Sequence, residues 1–199
     1  MSPPFTVCIL GAGTQGLCAL KNILEESDEG KFFLPTLFEG RDRIGGLWAY
    51  SDDPNLPTVL ESTLENVSRW RNCYGDFPVE DSDFDGDELG KGIGQGAYLG
   101  QKGALRHLER YADTFDLKRW IKFNSRVVGI RRDEKLAKWE VTVRVKSTPT
   151  TGSEETHLFD KVLVATGQYH KPLMPQIEGI EMFDGIAMHS ESFKRSASD

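Results

Sequence analysis

The sequence predicts an α/β fold: a parallel sheet with crossover helices and an antiparallel β-meander inserted before the last buried strand. Three observations carry it. Residues 7–10, 34–38 and 161–164 are short runs rich in apolar, β-favouring side chains with little alternation, as expected of strands covered on both faces. Between the first two lies Thr14–Glu26, where Leu17, Leu20, Ile23 and Leu24 recur at helical spacing and the small Cys18 and Ala19 can lie against a sheet. A helix between two strands makes them parallel. Residues 139–146 instead alternate, with Trp139, Val141, Val143 and Val145 opposite Glu140, Thr142, Arg144 and Lys146, the pattern of an antiparallel strand with one wet face.

The first strand runs directly into Gly11-Ala12-Gly13-Thr14-Gln15-Gly16, a G-x-G-x-x-G spacing that opens the helix. Gly11 suits the tight strand-to-helix turn, Gly13 lets a pyrophosphate approach the backbone, and Gly16 lets the helix pack close to the strand. The helix N-terminus adds free N–H groups and a positive dipole end. The second strand ends in Glu39, about 20 residues past the last glycine, where a carboxylate accepts ribose hydroxyls. Strand, glycines, helix and acid in that order predict a Rossmann-like dinucleotide site.

The remaining elements follow in order. Residues 27–30 end the first helix, and residues 40–48 form a loop closed by Gly45-Gly46. Residues 51–99 are dominated by Asp, Pro, Gly and Asn and read as an excursion over the sheet. Within it, Asp81-x-Asp83-x-Asp85-Gly86 copies half of a calcium loop, but position twelve would be Gly92; it reads as a solvated acidic loop. Gly92-x-Gly94-x-x-Ala97 copies the dinucleotide fingerprint without a strand before it, and reads as a flexible connection. Residues 101–115 form the second helix, with Leu105, Leu108, Tyr111, Ala112 and Phe115 inward and Arg106, Glu109, Arg110 and Asp113 outward. Short strands follow at 121–123 and 126–131. Residues 148–155 read as a polar turn, residues 161–164 as a buried strand ending in Ala165-Thr166-Gly167, and the Pro- and Gly-bearing tail from Gln168 as a connector.

Composition narrows the function. The chain has 199 residues, 38% hydrophobic and 28% charged, as in a globular protein with a core of its own. A net charge of −7, with no basic cluster interleaved with aromatics, argues against nucleic acid. Three cysteines without metal-ligand spacing, no secretory leader and no apolar run near ~20 residues predict a cytoplasmic protein without a membrane span or a metal. Asn66-Val67-Ser68 is formally a glycosylation sequon, without meaning in that compartment.

Gly11 to Gly16, Glu39, Gly45-Gly46-Leu47-Trp48 and Ala165-Thr166-Gly167 together resemble the flavin-containing monooxygenase family. Phe183-x-Gly185-x-x-x-His189-x-x-x-Phe193-Lys194 is similar to that family's identifying sequence, and Leu60-Glu61-Ser62, Asn66, Arg69 and Asp76-Phe77-Pro78 to a stretch beside its flavin. The resemblance runs from about Phe5 to Lys194. It implies FAD at the first fingerprint, reduction by NADPH, and O2-dependent oxygenation of a soft N or S nucleophile on a small-molecule substrate; Phe193, where related Baeyer–Villiger enzymes have Trp, favours N and S oxidation. By position, Gly11, Ala12, Gly13, Thr14, Gln15 and Gly16 would hold the pyrophosphate and Glu39 the adenosine ribose. Leu47 and Trp48 would lie along the flavin, the Val127 backbone near the adenine, and Val67, Ala165, Thr166 and Gly167 in the same cofactor-binding set. Asn66 would be the catalytic residue, at the flavin's reactive edge, hydrogen-bonding the peroxy intermediate.

Plainer readings stand beside these: Trp48 as a core aromatic, Phe183, Gly185 and Phe193 as linker packing, His189 as a structural histidine. Gly40 stands where the family commonly has Arg or Lys after the ribose-binding acid, with Arg41 next. Family members continue past Lys194 into a second fingerprint domain for NADPH and then complete the FAD domain. The expected division is therefore an incomplete FAD-binding domain over 1–170 and, over 171–199, a connector toward an NADPH domain largely absent here, with a complementing C-terminal chain as the implied partner. The expected function is the FAD-binding part of a truncated or split monooxygenase. Its rivals are a non-catalytic FAD module needing a partner chain and an NAD(P)-binding reductase half.

Overall fold

The computed structural model describes residues 3–28, 31–146, 152–168 and 171–193. β1 (Phe5–Leu10) passes through the glycine turn into α1 (Thr14–Glu26), which returns the chain to β2 (Phe33–Phe38). An excursion follows, containing a 3-10 turn at Gly46–Trp48, another at Asp81–Phe84, and the short α2 (Glu88–Gly92). Next come α3 (Gln101–Thr114), β3 (Ile121–Lys122), β4 (Ser125–Asp133), β5 (Lys138–Lys146), β6 (Gly152–Phe159) and β7 (Lys161–Val164).

The main sheet has the order β3-β2-β1-β7 with every pair parallel, and β4-β5-β6 form a separate antiparallel sheet. The apolar run of β1 has a simple cause. Its alternate residues serve two cores: Val7 and Ile9 pack with Leu17 and Leu20 of α1 and Leu108 and Tyr111 of α3, while Cys8 and Leu10 pack with Phe38 and the meander's Val141, Val143 and Phe159. Burial pushes the Cys8 thiol up to about 12, so it behaves as a small apolar residue. Pro35 is tolerated inside β2 because β3 pairs only with Leu37 and Phe38, leaving no ladder partner beside Pro35 on that edge.

Five expectations are corrected. The stretch expected as a polar turn at 148–155 is, from Gly152, strand β6, paired in register with β5; residues 147–151 lie outside the described residues. Its polar residues hid it: Glu154 pairs with Arg144 across the ladder at 2.7 Å, so charge complementarity replaces apolar alternation. β7, expected as buried, is an edge strand whose Val164 is 65% exposed. The acidic stretch is not solvated throughout, since Asp83 and Asp87 are buried. Arg110 does not point outward; it turns back onto Asp83, as described below. The 92–97 connection is also tighter than expected, with Gly94 N–H donating to the Leu89 carbonyl and Gly96 N–H to that of Gly90.

Among the described residues no helix is long and apolar enough to cross a membrane, and no group of His, Cys, Asp or Glu could hold a metal ion. Beyond β7 the chain runs through 3-10 turns at Ile180–Met182 and Ser190–Ser192 and leaves Leu173, Met182, Phe183 and Ile186 largely exposed.

Candidate functional site: a dinucleotide cradle at the end of β1

In the order β3-β2-β1-β7, successive strands leave β1 on opposite sides, so the carboxyl ends of β1 and β7 flank a switch point, where α/β sheets open a crevice. The glycine turn occupies it. Gly11 has φ +97, and a Cβ there would stand 2.8 Å from the Ala165 carbonyl oxygen. A Cβ at Gly16 would collide with the Gly11 carbonyl oxygen. Both glycines are therefore demanded by the fold. Ala165 is held beside them by its N–H to the Leu10 carbonyl at 3.0 Å, which sets Ala165 and Thr166 against Gly11, while a Cβ at Gly167 would meet nothing within 4 Å.

Gly13 differs. Its φ of −82 suits any residue, and a Cβ there would meet only the Gly46 Cα, at an ordinary 3.6 Å. The chain's own packing does not require glycine at this point. Gly13 is also the N-cap of α1, and no side chain caps that helix. The first-turn N–H groups beside the exposed Thr14 and Gln15 are thus left for an anion.

Glu39 ends β2 on the same side. Its Oε2 accepts the Ala12 N–H at 2.7 Å and its Oε1 the Arg41 N–H at 2.9 Å. Each oxygen keeps a lone pair for a hydroxyl donor. The Glu39 N–H donates to the Lys122 carbonyl, and its carbonyl accepts the Ser125 N–H, so β4 starts from the Glu39 backbone. The half-buried Val127 follows two residues on, at a bulge between Val127 and Gly129.

The Gly45-Gly46-Leu47-Trp48 turn backs onto the fingerprint: Gly45 N–H donates to the Ala12 carbonyl at 3.0 Å. Arg41 staples this turn by donating to the carbonyls of Gly46, Ala49 and Pro57 at 3.0, 3.1 and 2.7 Å. Burial draws its guanidinium below the usual value, with Glu39 opposing. Arg41 is committed to the loop and is not free to hold a phosphate. Trp48 packs between two apolar clusters, which supports its reading as a core aromatic, and its carbonyl accepts the Gln101 side-chain N–H. Leu47, with Pro57 and Val59, forms one wall of a cavity of about 380 Å3 whose other wall includes Gln168, Pro172 and His189. His189 is satisfied structurally, its Nδ1 accepting the Glu191 N–H.

Asn66 and Val67 lie on a segment connected to this turn through Gln101, whose N–H donates to the Thr63 carbonyl. Both are exposed. The rest of the resembling stretch does packing work. Asp76 pairs with the buried Lys21 of α1, Phe77 stacks among His107, Tyr111 and Phe115, and Arg69 pairs with Asp81 at 2.9 Å and lies over the Phe84 ring.

Sequence reasoning missed the anchor of the excursion. Asp83, fully buried, accepts Arg110 Nε at 2.9 Å and Nη2 at 2.8 Å and lies 3.1 Å from His107 Nδ1. Burial alone would raise the Asp83 carboxyl, but the bonds from Arg110 and His107 hold it well below the usual carboxylate range. Asp87 accepts the N–H groups of Gly90 and Gly100. The available signal was the pair His107 and Arg110, three apart on one helix, with Asp83 24 and 27 residues before them.

This α/β domain with a nucleotide cradle at its switch point matches the model for flavin-binding monooxygenase-like proteins over residues 5–198, and the chain belongs to that family. It is 36% identical over 192 residues to monooxygenase aurF of Gibberella zeae, covering 96% of this chain and 32% of that protein. To dimethylaniline monooxygenase (N-oxide-forming) 2 of Rattus norvegicus it is 30% identical over 195 residues, covering 94% of this chain and 32% of that one. The structure of S-allyl-L-cysteine S-oxygenase from Allium sativum has the same fold, with a TM-score of 0.79 at 27% identity over 96% of this chain and 43% of that one. The chain spans about a third of the length of the curated relatives it matches.

Proposed function

We propose that this chain is the FAD-binding part of an NADPH- and O2-dependent monooxygenase that oxygenates a soft nitrogen or sulfur nucleophile on a small molecule. The observation that carries it is Gly13: a glycine that its own fold does not need, at an uncapped helix N-terminus, with a carboxylate at the end of the neighbouring strand. A pyrophosphate fits that space, and family membership makes the dinucleotide a flavin one.

In this reading the N–H groups following Gly13 bind the pyrophosphate, and Glu39 accepts the ribose hydroxyls. The start of β4, through Val127, lies beside the adenine. Leu47 and the segment of Ala165, Thr166 and Gly167 shape the flavin's surroundings, and Arg41 fixes the Leu47 turn. Asn66 and Val67 face the reactive edge, where a neutral amide donates a hydrogen bond to a developing negative oxygen without adding charge. When bound, the flavin supplies the redox chemistry that moves electrons from NADPH to O2. Residues 1–170 form the FAD-binding domain and 171–199 lead toward the NADPH-binding part. The choice of nitrogen or sulfur is supported by the N-oxide-forming and S-oxygenase relatives.

The test is complementation. The FAD-loaded chain is mixed with a separately produced C-terminal two-thirds of monooxygenase aurF, NADPH, and a tertiary amine or thioether probe. The expected result is oxygenated product that needs both chains. Stable association of the chains with bound FAD but without product from either probe would overturn the monooxygenase reading.

A further inference from the structure

Glu65 stands directly before Asn66, and the two are oppositely placed: Glu65 is 8% exposed and Asn66 is on the surface. The segment that carries them is clamped by its backbone. Glu65 N–H donates to the Leu99 carbonyl at 2.8 Å, Arg69 N–H to that of Ala97 at 2.8 Å, and Gln101 N–H to that of Thr63 at 3.0 Å. The side chain beneath this clamp is a carboxyl whose Oε2 is buried and has no hydrogen-bond partner among the described residues.

The groups around it explain its state. Asn72 hydrogen-bonds the carboxyl, and Asp87 faces it. Asp87 is already engaged by the N–H groups of Gly90 and Gly100, so it gives Glu65 nothing but like charge. The cations of the neighbourhood are turned elsewhere: Arg69 to Asp81, Lys102 to Glu61, Lys91 to Asp85, while Arg71 is on the surface. A buried carboxylate with one bare oxygen, an acid for a neighbour and no cation paired to it among the described residues is costly, whereas the neutral acid fits. Burial, with Asp87 adding and Asn72 opposing, pushes the Glu65 carboxyl up to about 7.

We propose that Glu65 is a positioning residue for Asn66: its uncharged side chain seats the 63–69 segment against residues 97–101, and loss of its proton loosens that seat. The proposal rests on the reading above in that Asn66 is taken to serve the flavin. The device confers a pH dependence on the loop rather than on the flavin. Opening the segment lets Glu65 ionise with an ordinary value near 4.5, while the closed form resists until about 7. Linkage then lowers the protection of the clamped amides roughly 40-fold between pH 5 and pH 7 and levels off above.

The experiment is hydrogen exchange of the full chain at several pH values, read at the Glu65, Arg69 and Gln101 amides and corrected for intrinsic exchange, for wild type and Glu65→Gln. The expected result is a steep loss of protection with pH in wild type and a flat profile in the variant, whose amide cannot ionise. Equal slopes in the two proteins would overturn the proposal. A second readout needs no variant: carbon NMR titration of the wild-type carboxyls, in which a Glu65 midpoint near 4.5 would also overturn it. FAD affinity, measured in parallel at pH 6 and pH 8, separates the two ideas. FAD binding with flat exchange removes the role of Glu65 and leaves the flavin reading intact; steep exchange without FAD binding does the reverse.

Discussion

A methyl group separates binding from folding at the glycine turn. Gly13→Ala adds a Cβ whose nearest neighbour would be the Gly46 Cα at 3.6 Å, on backbone that alanine adopts freely. Its effect on stability is expected to stay within about 1 kcal/mol, and the lower entropy of the unfolded chain favours it. The same methyl occupies the space a pyrophosphate needs to reach the α1 N-terminus. Losing one charge-assisted hydrogen bond there costs about 1.5–3 kcal/mol, or roughly 10- to 150-fold in FAD affinity. Gly16→Ala is the contrast: its Cβ meets the Gly11 carbonyl, backbone that cannot yield cheaply, so about 3 kcal/mol of stability is expected to go whether or not FAD is present. Urea unfolding gives the first quantity and FAD titration the second. A Gly13→Ala protein that binds FAD as tightly as wild type would refute the placement of the pyrophosphate. A Gly16→Ala protein of wild-type stability would refute the steric account of the turn.

Three further outcomes follow from named contacts. Arg41→Met leaves the carbonyls of Gly46, Ala49 and Pro57 without their donor and is expected to cost about 2–4 kcal/mol by urea unfolding and to weaken FAD binding through the displaced Leu47 turn. Asp83→Asn strips the buried counter-charge from Arg110 inside the α3 contact, leaving it only the exposed Glu80, and is expected to cost about 3–5 kcal/mol at pH 7; because the native Asp83 carboxyl lies below its ordinary value, that difference shrinks as the pH falls below about 4. Glu65 acts with the opposite sign. Its native value is raised from 4.5 to about 7, so the folded state binds the extra proton, and wild type loses about 3 kcal/mol of stability as the pH rises through that window while Glu65→Gln does not, as unfolding curves at pH 4.5 and 7 will show.

What the sequence made legible was whatever local backbone geometry forces. The G-x-G-x-x-G turn could be read because φ +97 at Gly11 and the packing of Gly16 leave no other residue possible, and β1 because both of its faces are buried. β6 was not legible, since an outer strand held by Arg144 and Glu154 carries no apolar period. The acidic stretch misled for a different reason. Asp83 is buried by Arg110 and His107, which come 27 and 24 residues later, and no local rule distinguishes an acid awaiting such partners from a solvated one. Glu39 was legible as an acid at the end of β2, but not the fact that its carboxylate also ties the fingerprint to Arg41.

The central claim is that this chain holds a flavin dinucleotide by its adenosine and pyrophosphate half, at the end of β1. The most direct measurement is titration of the purified chain with FAD and, separately, with FMN, following flavin fluorescence. FMN carries the same flavin ring but lacks the adenosine that Glu39 and the glycine turn would grip. The account predicts saturable binding of FAD and binding of FMN weaker by at least about 100-fold, the worth of roughly 3 kcal/mol. Equal affinities for the two, or no binding of FAD, would contradict it.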